Sequence, residues 1–187
     1  MRAALLWVVI LLSLSTWAGP VRAQAFENTT ALTLGVGALV PVTEMSKAYG
    51  LGFAARLGLR MSISAGTSIG VETGFYAPNR KSGNATLYQC PVRVLLYFPL
   101  APEGSSTPYV ALGPGVTFSQ VGDSGDPDSP TKRDPYFTYA LKLGWAFRPE
   151  QMSGTVFEVG ARFEHQFIGG SPDFQTVDVE VCVGRVF

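Results

Sequence analysis

Gly50-Leu51-Gly52-Phe53-Ala54-Ala55-Arg56-Leu57-Gly58-Leu59-Arg60-Met61 alternates almost without fault: even positions hold glycine, alanine or arginine, and odd positions hold only leucine, phenylalanine, alanine or methionine. A period of two is the signature of a strand, whose successive side chains point to opposite faces; helical apolar residues recur at three and four instead. One face of this segment is hydrocarbon from end to end. The other carries Arg56 and Arg60 in mid-strand, spaced by small residues. In a closed barrel immersed in lipid, such a strand turns its charges into the lumen and its hydrocarbon toward the bilayer.

The same alternation extends outward along the chain, in segments at about 31–42, 49–62, 67–77, 87–98, 108–120, 136–148, 155–167 and 175–187. Leu32, Leu34 and Val36 oppose Thr33, Gly35 and Gly37 in the first; Val177, Val179, Val181 and Val183 oppose Asp178, Glu180, Cys182 and Gly184 in the last. Ten charges, Arg56, Arg60, Glu72, Arg93, Lys142, Glu158, Arg162, Glu164, Asp178 and Glu180, fall on the glycine-bearing parity, and Arg185 alone departs from it. Chance would place ten charges on one stated face about once in a thousand. The reading is an all-β, transmembrane, up-and-down antiparallel β-barrel of eight strands. Its lumen is polar and plugged, because eight strands enclose only enough room for side chains. The ten charges are expected to form a lumenal ion-pair network, since an unpaired charge in that space costs several kcal/mol. Pairing about the tight turn near Ala65 sets Arg56 opposite Glu72, pairing of the last two strands sets Arg162 opposite Glu180, and Arg93 comes within reach of Glu72.

Pro91 and Pro114 cannot donate to a ladder, so each is expected to mark a bulge, a place where the parity could slip. The connections at 63–66, 99–107 and 149–154 are mostly short, whereas those at 43–48, 78–86, 121–135 and 168–174 include the longest and most polar. The first set is assigned to the periplasmic side, together with both termini. Phe98, Trp145, Phe147, Phe157 and Phe187 form one aromatic girdle and Phe75, Phe118, Phe137 and Phe163 the other.

Met1-Arg2, the apolar run Ala3 to Leu14 and Val21-Arg22-Ala23 have the form of a secretory signal peptide, residues 1–23, which leaves 24–187 as a single barrel domain. The apolar run falls short of the roughly 20 residues of a membrane-spanning helix. Without Arg2 and Arg22 the chain is slightly acidic, so nothing points to nucleic acid.

Residues 24–187 resemble the small OmpA/OmpX-type outer-membrane barrels, more by pattern than by motif. The most specific element is Val181-Cys182-Val183-Gly184-Arg185-Val186-Phe187, which is similar to the terminal strand of such proteins and ends on an aromatic residue. The resemblance implies residence in a bacterial outer membrane, amid its lipid and lipopolysaccharide. It also implies that Phe187 is the assembly signal read by the barrel-assembly machinery.

Residues that carry chemistry are few. Cys90 and Cys182 fall on non-neighbouring strands with opposite parity, which argues against a disulfide. His165, the single histidine, takes the outward parity near one rim, with Glu164 beside it in sequence but pointing the other way. Some eight-stranded barrels modify lipid A with an outward-facing His, Ser and acid, and no matching serine is evident here. Asp123-Ser124-Gly125-Asp126-Pro127-Asp128 has no standard cation-loop spacing and is offset by Lys132 and Arg133. Asn28-Thr29-Thr30 and Asn84-Ala85-Thr86 match glycosylation acceptors but are discounted for a bacterial envelope. No cofactor or metal is expected. The preferred function is a structural or surface-interaction role through external loops that meet an extracellular ligand, without catalysis. A porin-like small-solute channel and a lipid A-modifying enzyme are the alternatives. A soluble lipocalin-like barrel, with the parities reversed, is the alternative fold.

Overall fold

The computed structural model describes residues 29–187 except 44, 65, 82–84, 101–105, 124–131, 150, 153 and 169–173. The signal-peptide segment, Asn28, Asn84 and the carboxylates of Asp126 and Asp128 lie outside the described residues. Eight strands follow one another: β1 (Thr30–Val42), β2 (Gly52–Ser64), β3 (Thr67–Ala77), β4 (Ala85–Pro99), β5 (Ser106–Asp123), β6 (Lys132–Phe147), β7 (Thr155–Phe167) and β8 (Phe174–Val186). Each pairs with the next, and β8 returns to β1 in antiparallel register, so the sheet closes as an up-and-down barrel. A helical turn, α1 (Met45–Ala48), interrupts the β1–β2 connection. The connections that follow β1, β3, β5 and β7 share one end, the loop end; Thr29 and Phe187 lie at the other, the terminus end.

Inside and outside follow the parity of the sequence. Leu34 and Val181 are each 58% exposed, and Leu57, Val71, Val94, Leu112, Leu141 and Val159 continue the apolar belt around the barrel. Soluble monomers rarely show a contiguous apolar patch above a few hundred Å², and at about 25 cal/mol per Å² a whole belt in water would be prohibitive. Only a bilayer suits this exterior, which excludes the lipocalin-like arrangement. Phe98, Trp145, Phe147 and Phe187 are exposed toward the terminus end and Phe75, Phe118 and Phe137 toward the loop end, with Phe157 and Phe163 half-buried. Within the barrel, Leu95, Tyr97, Tyr109, Ala111, Ala140, Ala146 and Val156 cluster toward the terminus end, and Leu39, Ala54 and Tyr76 form a second apolar patch nearer the loops.

The prolines behave differently from expectation. β4 and β5 keep one register on both sides of Pro91, and β5 and β6 keep one register through Pro114, so neither residue makes a bulge and the parity does not slip. Each proline interrupts one ladder. The β3–β4 pairs stop at Thr73↔Val92 and resume at Tyr76↔Gln89, and the β4–β5 pairs stop at Arg93↔Gly115 and resume at Leu96↔Leu112. The missing N–H thus removes pairing locally and leaves the strand direction intact. At the second gap the backbones press together: a Cβ on Gly113 would lie 1.9 Å from the Val94 carbonyl oxygen, so glycine is required there. A register shift lies elsewhere, at Ser62/Ser64 beside the β2–β3 turn.

Candidate functional site: the filled lumen and the loop end

All ten charges singled out above are buried in the lumen, none more than 6% exposed. Arg56, Arg60, Arg93, Lys142 and Arg162 stand against Glu72, Glu158, Glu164, Asp178 and Glu180, so the buried set is neutral overall. Most pairs join non-neighbouring strands across the barrel interior, whereas Lys142–Glu158 and Arg162–Glu180 join adjacent ones. Near the middle, Lys142 Nζ lies 2.6 Å from Glu180, 3.4 Å from Glu158 and 3.9 Å from Glu72. Arg162 Nη2 is 2.6 Å from Glu72 and 3.5 Å from Glu180. Arg56 is paired with Glu180 and with Asp178, the latter at 2.6 Å. Toward the termini Arg60 meets Glu158 at 2.8 Å, and toward the loops Arg93 is paired with Glu164.

The expected partners were two residues off in register. Arg56 stands opposite Gly74, and Glu72 opposite Gly58. Arg162 stands opposite Asp178, with Glu180 opposite Gly160, although the expected Arg162–Glu180 ion pair does form, at 3.5 Å. Arg93 does face Glu72 across β3–β4, yet its ion pair is with Glu164. The reason is spatial: in so narrow a barrel a long side chain reaches across the lumen as easily as to the neighbouring strand, and the cross-lumen carboxylates are the better placed.

Uncharged members complete the filling. Tyr97 Oη donates to Glu72 and Tyr109 Oη to Glu158, each at 2.8 Å. Arg56 Nε donates to Tyr76 Oη at 3.1 Å. The Arg56 and Arg93 guanidinium carbons lie 5.1 and 5.2 Å from the Tyr76 ring centre, and Arg60 lies 5.1 Å from that of Tyr97, within cation–π range. Nearer the loops Gln89 Nε2 donates to Gln166 Oε1 at 2.9 Å and to Ser119 Oγ at 3.1 Å. Sequence reasoning did not assign these partners, although each shares the inward parity of the charges and that signal would have found them.

His165 is half-buried on the outer surface. Its ring stacks on Tyr139 at 5.3 Å, and its Nδ1 is 3.0 Å from Gln175 Nε2. Phe167 also lies against the ring, centres 4.6 Å apart, so the histidine sits among partners that the sequence did not suggest. Glu164 points into the lumen toward Arg93. Cys90 is exposed outside and Cys182 is buried inside.

At the loop end the 43–51 and 78–84 connections are stapled together. Lys81 N donates to Ala48 O at 2.9 Å, Gly50 N to Asn79 O at 2.6 Å, and Tyr49 and Arg80 form an isolated β-bridge. Asn79 Nδ2 donates to Leu51 O and Lys81 Nζ to Ser46 O, each at 2.6 Å. Tyr49 packs edge-on to Phe174, ring centres 6.4 Å apart, which ties the platform to β8.

Neither a protein-family model nor a curated protein matches the sequence. Solved structures do match. The fold is that of the eight-stranded outer-membrane barrels. The Neisserial surface protein A superposes with a TM-score of 0.69 at 11% identity, covering 85% of this chain and 99% of that one. Ail, the attachment invasion locus protein of Yersinia pestis, gives 0.57 at 14% identity, covering 87% and 100%. OprG from Pseudomonas aeruginosa gives 0.57 at 13%, covering 86% and 96%. At identities this low the shared property is the architecture, an outer-membrane barrel fold.

Proposed function

We propose that this chain is an integral outer-membrane protein of a bacterial envelope, with both termini periplasmic, that acts through its loop end as a structural or surface-interaction protein and performs no catalysis. The observation that carries this reading is the filled, charge-neutral lumen. Cross-lumen ion pairs occupy its middle and apolar clusters lie on either side of them, which leaves the loops as the surface available to a partner. The names of two structural relatives, a surface protein and an attachment invasion locus protein, agree with it at the level of fold analogy only. Against the lipid-modifying alternative stands Glu164, the acid beside His165 in sequence, which is turned into the lumen and paired with Arg93. Phe187, at the end of the closing strand, is proposed as the assembly signal.

Single-channel conductance in a planar bilayer tests the reading. Protein extracted from membranes and shown to be inserted is expected to pass no current. Discrete conductance steps would overturn it in favour of the small-solute channel.

A further inference from the structure

The lumenal charges have a counterpart on the outer wall. Arg185, near the end of β8, takes the lipid-facing parity and is exposed. Among the described residues, no ion pair or hydrogen bond joins its guanidinium to a partner. A guanidinium stays charged and presents its N–H donors in a planar fork that matches a phosphate bidentately. Facing lipid and unpaired within the barrel, this cation has the membrane as its source of a counter-ion.

The register fixes its depth. Across the sheet Arg185 stands between Leu32 of β1 and Thr155 of β7. The next outward row toward the middle of the membrane runs through Val183, Phe157 and Phe147. Two residues on toward the terminus end lies Phe187, 74% exposed. The guanidinium is thus bracketed by aromatic rows of the terminus-end girdle, the depth at which interfacial rings meet lipid headgroups.

A shallow groove of about 470 Å³ adjoins the cation, lined by Leu32, Leu34, Leu57 and Val183 together with Thr155 and Arg185. Leu34 faces Val183 across β1–β8 and Leu57 across β1–β2, one row nearer the membrane middle than Arg185. Cation and hydrocarbon therefore follow one another in the order in which a lipid presents its headgroup and its chain. A molecule that sets a phosphate beside Arg185 and continues into the bilayer lays its chain over these apolar side chains, and the Thr155 hydroxyl offers a second donor at the headgroup end.

We propose that Arg185 and the groove of Leu32, Leu34, Leu57 and Val183 form a docking site for one glycerophospholipid of the leaflet at the terminus end, with its phosphodiester on the guanidinium and an acyl chain in the groove. The proposal rests on the outer-membrane reading above, which makes this leaflet the periplasmic one, and extends it to a part of the wall remote from the loops.

The test uses the full-length chain expressed in a bacterial host, extracted in a non-ionic detergent, confirmed as folded by its heat-modifiable gel mobility and returned to phosphatidylcholine vesicles. Trace phosphatidylglycerol with a photoreactive group on one acyl chain is added, and after illumination the adducts are mapped by peptide mass spectrometry. Diacylglycerol carrying the same chain is the control without phosphate. Phosphatidylglycerol adducts are expected to concentrate on the segments that hold Leu32, Leu34, Leu57 and Val183. Arg185→Gln is expected to lower them roughly five-fold, the effect of one cation at the membrane surface, and Lys47→Gln, which removes a cation at the loop end, to leave them unchanged. Adducts spread evenly around the barrel, equal labelling by diacylglycerol, or equal labelling of Arg185→Gln overturns the site. So does displacement of the probe by unlabelled bisphosphorylated lipid A in preference to unlabelled phosphatidylglycerol, which would assign the groove to a lipid of the opposite leaflet. A silent barrel with evenly spread adducts sinks the lipid site alone, whereas conductance steps would sink the function proposed above whatever the labelling.

Discussion

Glu164 shows what a single lumenal residue is worth. It is fully buried, paired with Arg93, and accepts a 3.4 Å hydrogen bond from Thr117 Oγ1. Replacing it by leucine leaves a guanidinium enclosed without its counter-charge, and breaking a buried pair from one side costs about 3–5 kcal/mol. Replacing both partners, Arg93→Met with Glu164→Leu, removes the desolvation problem together with the attraction and is expected to recover most of that loss. Urea unfolding in lipid vesicles measures both. If the double variant is as unstable as the single, the pair contributes through shape and packing, and its charge is incidental. The inward position of both side chains was legible in the sequence, because parity alone decides it. Their partnership was not: it spans the lumen, and nothing along a strand encodes which carboxylate lies across an 8-stranded ring.

At the scale of the strand, alternation determines which face a residue occupies but leaves the register open in steps of two. A slip of one residue would carry every charge into lipid, whereas a slip of two preserves both faces. That is why Arg56 and Arg162 were placed in the lumen correctly and given cross-strand partners two positions away from those observed. Proline misled for a related reason: a missing donor breaks one ladder, while a bulge also needs an inserted residue, and a single sequence does not separate the two cases. The lipid-facing parity makes its own prediction on β8. Val181 sits in the middle of the exposed row Val179, Val181, Val183, so Val181→Lys is expected to destabilise the folded barrel by about 2–4 kcal/mol in a bilayer. Arg185 already tolerates a charge on the same parity because it lies at the strand end, beside the turn that holds Gly154, where the cost falls to about 0–1 kcal/mol. Equal stability of Val181→Lys and the parent would mean that this face does not meet hydrocarbon.

For the whole molecule the decisive property is whether water traverses the barrel, and the two cysteines report on it without any substitution. Cys182 lies on the lumenal face of β8, 5% exposed, next to Glu180; Cys90 lies on the outer wall of β4. In inserted protein, a water-soluble charged maleimide reaches Cys182 only through the lumen. Approach from the loops must pass Gln89, Gln166 and the paired Arg93 and Glu164, and approach from the termini must pass Tyr97, Tyr109 and Val156. Cys182 is therefore expected to stay unlabelled in the folded barrel and to react fully once the protein is unfolded in denaturant. A membrane-permeant maleimide is expected to modify Cys90 alone, through the bilayer. Labelling of Cys182 by the charged reagent in folded protein would establish a wet path past the ion pairs, and the same path would admit small solutes. The outcome separates the two readings of one charge pattern: arginine and glutamate on the inner parity serve a plug and a pore equally well in sequence, and only the way their side chains close on one another distinguishes them.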